Sequence, residues 1–135
     1  MKKIIIISYF FPPCNFVGGD RTFAWALYLN RFGIYPIIIT RQWNDGQKDI
    51  TDKITKKEVH EIQKDYEVYR LPYKNSLRDF FSKYNNLKIF KFLQKLFTFK
   101  ELLLSNFFIK SLSYSNFYFF SKKLILKDPE IKMII

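Results

Sequence analysis

The opening stretch Lys2-Lys3-Ile4-Ile5-Ile6-Ile7-Ser8, closed by Pro12-Pro13, constrains the fold more than any other part of the chain. Four consecutive β-branched residues with no polar alternation suit a strand covered on both faces, as in a parallel sheet. Two prolines cannot continue the ladder. The same stretch has a superficial likeness to a signal peptide. It is short, however, and no small-residue cleavage site follows it, so a buried first strand over 3–8 is the better reading.

A loop through Cys14, Asn15, Phe16, Val17, Gly18 and Gly19 comes next. Asp20 is a suitable N-cap, and the Ala-, Leu- and aromatic-rich segment from Arg21 to Phe32 predicts a helix. Gly33 is its stop. Tyr35 to Thr40 predicts a second strand, with Pro36 tolerable only near its beginning. Strand, loop, helix and strand at this spacing make a βαβ unit with parallel strands and a right-handed crossover.

Arg41 to Asp65 is polar, and Ile50, Ile54, Val59 and Ile62 give only a weak helical stripe. Glu67 to Leu71 alternates and predicts a third strand, ended by Pro72. Then the period changes. Leu77, Phe80, Phe81 and Tyr84, followed by Ile89, Phe92, Leu93, Leu96 and Phe97, predict amphipathic helices. Breaks are expected at Asn85-Asn86, Ser105-Asn106 and Ser115-Asn116. A last helix runs from Tyr118 to Leu126, and a strand starts at Ile131 after the Asp128-Pro129 turn. The expected fold class is therefore α/β: a Rossmann-like parallel sheet of about four strands carrying a helical insert at about 76–127. A parallel strand at the very end has nothing after it to cover the sheet, so the chain reads as a fragment, one partial domain over 1–135.

Composition narrows the function. Charged residues are 26% and apolar ones 48% of the 135 residues, which excludes a disordered polar tail. One Cys and one His exclude a disulfide scaffold and a Cys/His zinc site. The formal net charge is +11, and most of it lies between Lys74 and Lys127, where 11 basic residues face two acids among 14 aromatics. Such a surface attracts the phosphates of nucleic acid or of an anionic lipid leaflet. Nucleotide bias in the source genome, which enriches Lys, Ile, Asn, Phe and Tyr together, is a competing cause. The Phe/Lys helices read first as a core with a wet face. They also suit a membrane surface, with phenylalanines dipping in and lysines snorkelling. No stretch reaches the length of a membrane span.

The sharpest chemical feature is the loop after the first strand. Gly18-Gly19 permits close backbone approach and positive φ. The following helix turns its free N–H groups and positive dipole end toward that loop, which suits a phosphate or a sugar hydroxyl. Arg21 adds a bidentate donor. In an open α/β sheet this corner is where ligands bind. The plainer reading is that the glycines only make a tight turn. Neither G-x-G-x-x-G nor a P-loop is present. Cys14 has no nearby His to activate it, and His60 stands among Lys56, Lys57, Glu58 and Glu61 as a solvated residue.

Lys3-Ile-Ile-Ile-Ile-Ser-Tyr-Phe-Phe-Pro-Pro13, Gly18-Gly-Asp-Arg21, the helix ending at Phe32-Gly33, and Pro36-Ile-Ile-Ile-Thr40 together resemble the start of glycosyltransferase family 4-like proteins. Glu67-Val-Tyr-Arg-Leu-Pro72 resembles that family's third strand. The resemblance implies the GT-B fold, two Rossmann-like domains facing across a cleft, of which this chain is the incomplete N-terminal, acceptor-side half. The C-terminal nucleotide-sugar domain and its E-x7-E element are absent. It implies that Gly18 and Gly19 approach the donor diphosphate or the acceptor and that Arg21 assists, with no catalytic residue assigned. It also implies metal-free, cofactor-free transfer from a nucleotide sugar to a lipid-linked acceptor, in surface-polysaccharide synthesis. The place would be the cytoplasm, peripherally on the inner face of the cell membrane. The later N-terminal-domain histidine used by many members is missing, and His60 lies in the wrong place to replace it. Alone, the chain should not catalyse transfer. Two other readings compete: a small basic nucleic-acid-binding protein, against which the helical core spacing of the phenylalanines weighs, and a nucleotide-binding α/β domain of another function.

Overall fold

The computed structural model describes residues 1–43, 57–72, 88–107 and 115–135. Two compact units divide the chain: Met1–Pro72 with Asn116–Ile135, and Tyr73–Ser115.

The first unit is built on the isoleucines. Strand β1 (Lys2–Ser8) pairs in parallel with β2 (Ile34–Arg41), Ile5 opposite Ile37 and Ser8 opposite Thr40. Between them run helix α1 (Gly18–Tyr28) and a 3₁₀ turn (Leu29–Phe32). Gly33 ends that turn at φ 71°, a left-handed conformation that glycine adopts without Cβ strain. Strand β4 (Glu67–Leu71) pairs in parallel with β2 from Ile37 onward, so Pro36 lies beyond that pairing and breaks no bond to β4. With β3 (Val59–Ile62) and β5 (Ile131–Ile134) the full order is β3-β4-β2-β1-β5. Strand β5 (Ile131–Ile134) lies parallel to β1, with a register shift at Lys3/Ile4.

Successive side chains of a strand point to opposite faces, and the isoleucines obey this. Ile4, Ile6, Ile38 and Val68 pack with Ala26, Phe23 and Leu29 beneath α1. Ile5, Ile37, Ile39, Leu71 and Ile131 pack with Phe117, Phe120 and Leu124 of the last helix, which we number α3 (Ser115–Lys127). Helices on both faces explain why the strands are apolar throughout instead of alternating. Each isoleucine buried in this way contributes roughly 1.5–3 kcal/mol of transfer free energy.

The structure corrects the expected sheet in two ways. It has five strands and is mixed, because β3 (Val59–Ile62) runs antiparallel to β4 along the edge. That segment was expected to be weakly helical. Val59 and Ile62 are spaced like a helical stripe, but backbone pairing to β4 holds them extended. The helix that begins at Ser115 covers the sheet, and from Asn116 onward it belongs to the first unit, with Tyr73–Ser115 forming the second.

In the second unit the described element is helix α2 (Lys88–Phe107). It continues through Ser105-Asn106, where a break was expected: no proline or glycine stands there, and serine and asparagine cost a helix little. The expected helix over 77–84 and the Asn85-Asn86 break lie outside the described residues.

Candidate functional site at the carboxyl edge of the sheet

The chain builds β1, β2 and β4 outward in one direction, then returns to lay β5 on the other side of β1. This reversal is a topological switch point, and the crevice outside the strands' carboxyl ends is the general ligand position in such sheets. The loop from Tyr9 to Val17 leaves β1 at that edge.

Several bonds fix this loop. Ser8 Oγ donates to the Phe10 carbonyl at 2.7 Å, and Thr22 Oγ1 of α1 donates to Ser8 Oγ at 3.0 Å. Trp43 Nε1 donates to the Tyr9 carbonyl at 2.9 Å. Arg70, at the carboxyl end of β4, donates from Nη1 to the Pro12 carbonyl at 2.6 Å. Its Nε and Nη2 grip Glu61 of β3 at 2.7 and 3.1 Å. The Pro12-Pro13 peptide is cis.

Aromatic rings fill the corner. Phe10 stacks on Trp43 with centroids 5.7 Å apart, and Phe16 leans on both at 5.1 and 5.6 Å. Tyr9 meets Phe10 and Trp43 edge-on. Arg41 is fully buried here. Its guanidinium lies 4.4 Å from the Trp43 centroid and 5.5 Å from that of Tyr9, and it donates to the Tyr9 hydroxyl. A cation held over two ring faces and bonded to a phenol is fixed both electrostatically and geometrically. On the other side of the loop, Phe11 packs edge-on against Tyr66, whose hydroxyl is pushed above the ordinary phenol value by burial.

The glycines serve this packing. A Cβ on Gly18 would stand 2.9 Å from Phe10 Cδ2, and one on Gly19 would stand 3.4 Å from the Phe10 carbonyl carbon and the Phe11 nitrogen. At Gly18 a side chain would press on the Phe10 ring, whereas at Gly19 it would meet the loop backbone at ordinary contact distance. The expected positive φ is corrected: among the described residues only Gly33 has it. The helix also starts earlier than expected, at Gly18, with Val17 at the cap and Asp20 inside the first turn. Gly19 N–H donates to the Phe16 carbonyl at 2.8 Å and Asp20 N–H to the Val17 carbonyl at 3.2 Å. Two N–H groups that a helix start would turn toward an anion are therefore satisfied within the chain. Arg21 is exposed on the same first turn.

The structure brings Gly18, Gly19 and Arg21 together at one helix end. Sequence reasoning missed Arg41, Trp43 and Tyr9, and it treated Arg70 only as part of a strand pattern. Cys14 is buried, and its N–H closes a turn to the Phe11 carbonyl at 3.3 Å. His60 is not simply solvated: it stacks on Tyr69 at 4.0 Å, and its Nε2 lies 2.9 Å from Glu67 Oε2. Among the described residues no group of His, Cys, Asp and Glu could hold a metal ion, and no helix is long and apolar enough to cross a membrane. An open cleft of about 530 Å³ lies beside α1, lined by Ile4, Trp25, Leu29, Ile34, Met133 and Ile135 with Lys2 and Lys132. It is apolar and lacks the convergent polar groups of a small-molecule site.

Comparison with known proteins finds no match, whether among protein-family models, curated proteins or solved structures.

Proposed function

We propose that this chain is the acceptor-side half of a glycosyltransferase built from two Rossmann-like domains, and that its β1–α1 corner binds a ligand bearing a sugar and a phosphate. The observation that carries the reading is the reversal of strand order at β1, with the β1–α1 loop leaving the carboxyl edge beside it. Exposed Arg21 on the first turn of α1 supplies a planar double donor for a phosphate, and the exposed backbone at Gly18 lets the ligand come close. The aromatic corner gives sugar C–H groups an apolar wall. In the complete enzyme the partners are a nucleotide sugar and a lipid-linked acceptor, the reaction needs no metal, and it takes place on the inner face of the cell membrane in surface-polysaccharide synthesis. The isolated half binds without turning over.

The test is a titration of the labelled chain with uridine and guanosine diphosphate sugars, followed by amide NMR. Resonances of Gly18, Gly19 and Arg21 should shift at millimolar ligand, Arg21→Ala should weaken the response about tenfold, and no sugar should be transferred. Shifts confined to other residues, no shift at saturating ligand, or turnover by this chain alone would each defeat the proposal.

A further inference from the structure

Helix α2 presents two different apolar faces. Phe90, Leu93, Phe97 and Leu104 are half-buried along one side. On another side Ile89, Phe92, Leu96, Phe99 and Leu103 are exposed, at 71, 67, 52, 60 and 50% of their full surface. Their spacing of three, four, three and four residues brings them into a single stripe, about 80° wide on a 3.6-residue helix. A stripe of this size leaves roughly 500 Å² of apolar side chain in water, as large as the largest patch on a typical monomer.

Charge identifies the occupant. Lys88, Lys91 and Lys95 project along one border of the stripe and Lys100 along the other. The helix carries a single acid, Glu101, which is half-buried on the opposite side. Lysines on both borders of an apolar stripe allow the stems to lie on hydrocarbon while the ammonium groups reach upward to phosphate. A partner protein helix would need its own acids on both borders, and a nucleic acid would leave the five large apolar residues wet. At 20 residues the helix is about 30 Å long, but its charges and its mean hydropathy prevent it from spanning a bilayer.

We infer that α2 lies in the plane of an anionic lipid surface, with Ile89, Phe92, Leu96, Phe99 and Leu103 inserted below the phosphates and the four lysines at their level. This assignment rests on α2 alone and stands whether or not the first unit binds a sugar nucleotide.

The experiment is flotation of the full chain with vesicles of phosphatidylcholine alone and of phosphatidylcholine with phosphatidylglycerol, at low and high salt. The chain should float with the anionic vesicles and be released by salt. Phe92→Glu with Leu96→Glu should abolish flotation while circular dichroism stays unchanged. Both positions are more than half exposed, so the fold does not depend on them. Each of Lys88→Gln, Lys91→Gln and Lys95→Gln should lower binding about fivefold. Equal flotation with neutral vesicles, or flotation that survives the double glutamate change, would overturn the inference. So would failure to bind anionic vesicles accompanied by single-stranded DNA binding that needs the lysines but not the phenylalanine stripe. The vesicles carry no sugar nucleotide or acceptor, so neither result bears on the β1–α1 corner.

Discussion

Arg70→Ala is the change that most directly tests how the fold holds the candidate site. The Arg70 side chain is 14% exposed, and it ties the loop to the edge hairpin with one guanidinium. The two contacts are unequal. Glu61 is 36% exposed, so water screens its pairing with Arg70, which is worth about 0–1 kcal/mol. The Pro12 carbonyl receives a charge-assisted bond on the protected side, worth about 1.5–3 kcal/mol. Arg70 also covers the Phe11 ring, with the guanidinium 5.8 Å from its centroid. Arg70→Ala should therefore cost about 3 kcal/mol, and Glu61→Ala no more than about 1 kcal/mol. Urea unfolding of the two single variants and the double variant measures both costs and their coupling. Hydrogen exchange adds the local readout: Arg70→Ala should speed exchange at the Cys14 amide, which closes the turn beneath the clamped Pro12 carbonyl, and Glu61→Ala should not. Equal costs for the two single variants, or unchanged exchange at Cys14 in Arg70→Ala, would refute the claim that this arginine acts mainly through the loop.

Two further outcomes follow from the sheet. Ile38→Ala, at a position fully buried between β1 and β4, should cost about 2–5 kcal/mol in urea unfolding, whereas Ile7→Ala, more than a third exposed, should cost much less. Lys3 Nζ lies 2.6 Å from Asp128 and 3.2 Å from Glu130, which joins β1 to the start of β5. Hydrogen bonding to Lys3 holds the Asp128 carboxyl below its usual range, so the stability it contributes is present above the unfolded carboxylate value and is lost as pH falls through the lower folded value. The hydrogen bonds that Lys3 donates to Asp128 and Glu130 raise its own value, so its contribution persists up to the unfolded lysine value and is lost only as pH rises through the higher folded one. Asp128→Asn should flatten the acid limb of a stability–pH profile, and high salt should flatten it in part in the parent chain because the pair is partly exposed.

The parts of the fold that sequence made legible are those whose burial is two-sided. A strand covered on both faces must be apolar at every position, so Ile4 to Ile6 and Ile37 to Ile39 announce themselves, and Gly33 announces the turn between them. Strand β3 had no such mark. It sits at the edge, and only one of its four residues is even half-buried, so its sequence carries no imprint of the sheet. What fixes it is backbone bonding to β4 and the Arg70–Glu61 pair, both invisible until the hairpin is closed through Gln63 N–H and the Tyr66 carbonyl.

The candidate site was legible on one side only. Gly18-Gly19 signals that something approaches closely, but the approaching group is Phe10, from the chain's own loop. Nothing in a diglycine distinguishes an aromatic ring from a ligand. The missing side follows from register. Once Ser8 is opposite Thr40, the next residues along the two parallel strands are Tyr9 and Arg41, and Trp43 is two positions on. A buried arginine beside a tyrosine and a tryptophan at the carboxyl edge was thus implied by pairing two strands that were already recognised, one residue further than their apolar pattern reached. The same register explains why Arg41 is tolerated at full burial: it stands where the ladder ends, and the rings of the β1–α1 loop supply the surroundings that a mid-sheet position would deny it. Whatever ligand reaches this edge therefore meets a corner already closed by the chain's own aromatic rings, and the groups exposed beside it include the backbone at Gly18 and the side chains of Asn15, Asp20 and Arg21.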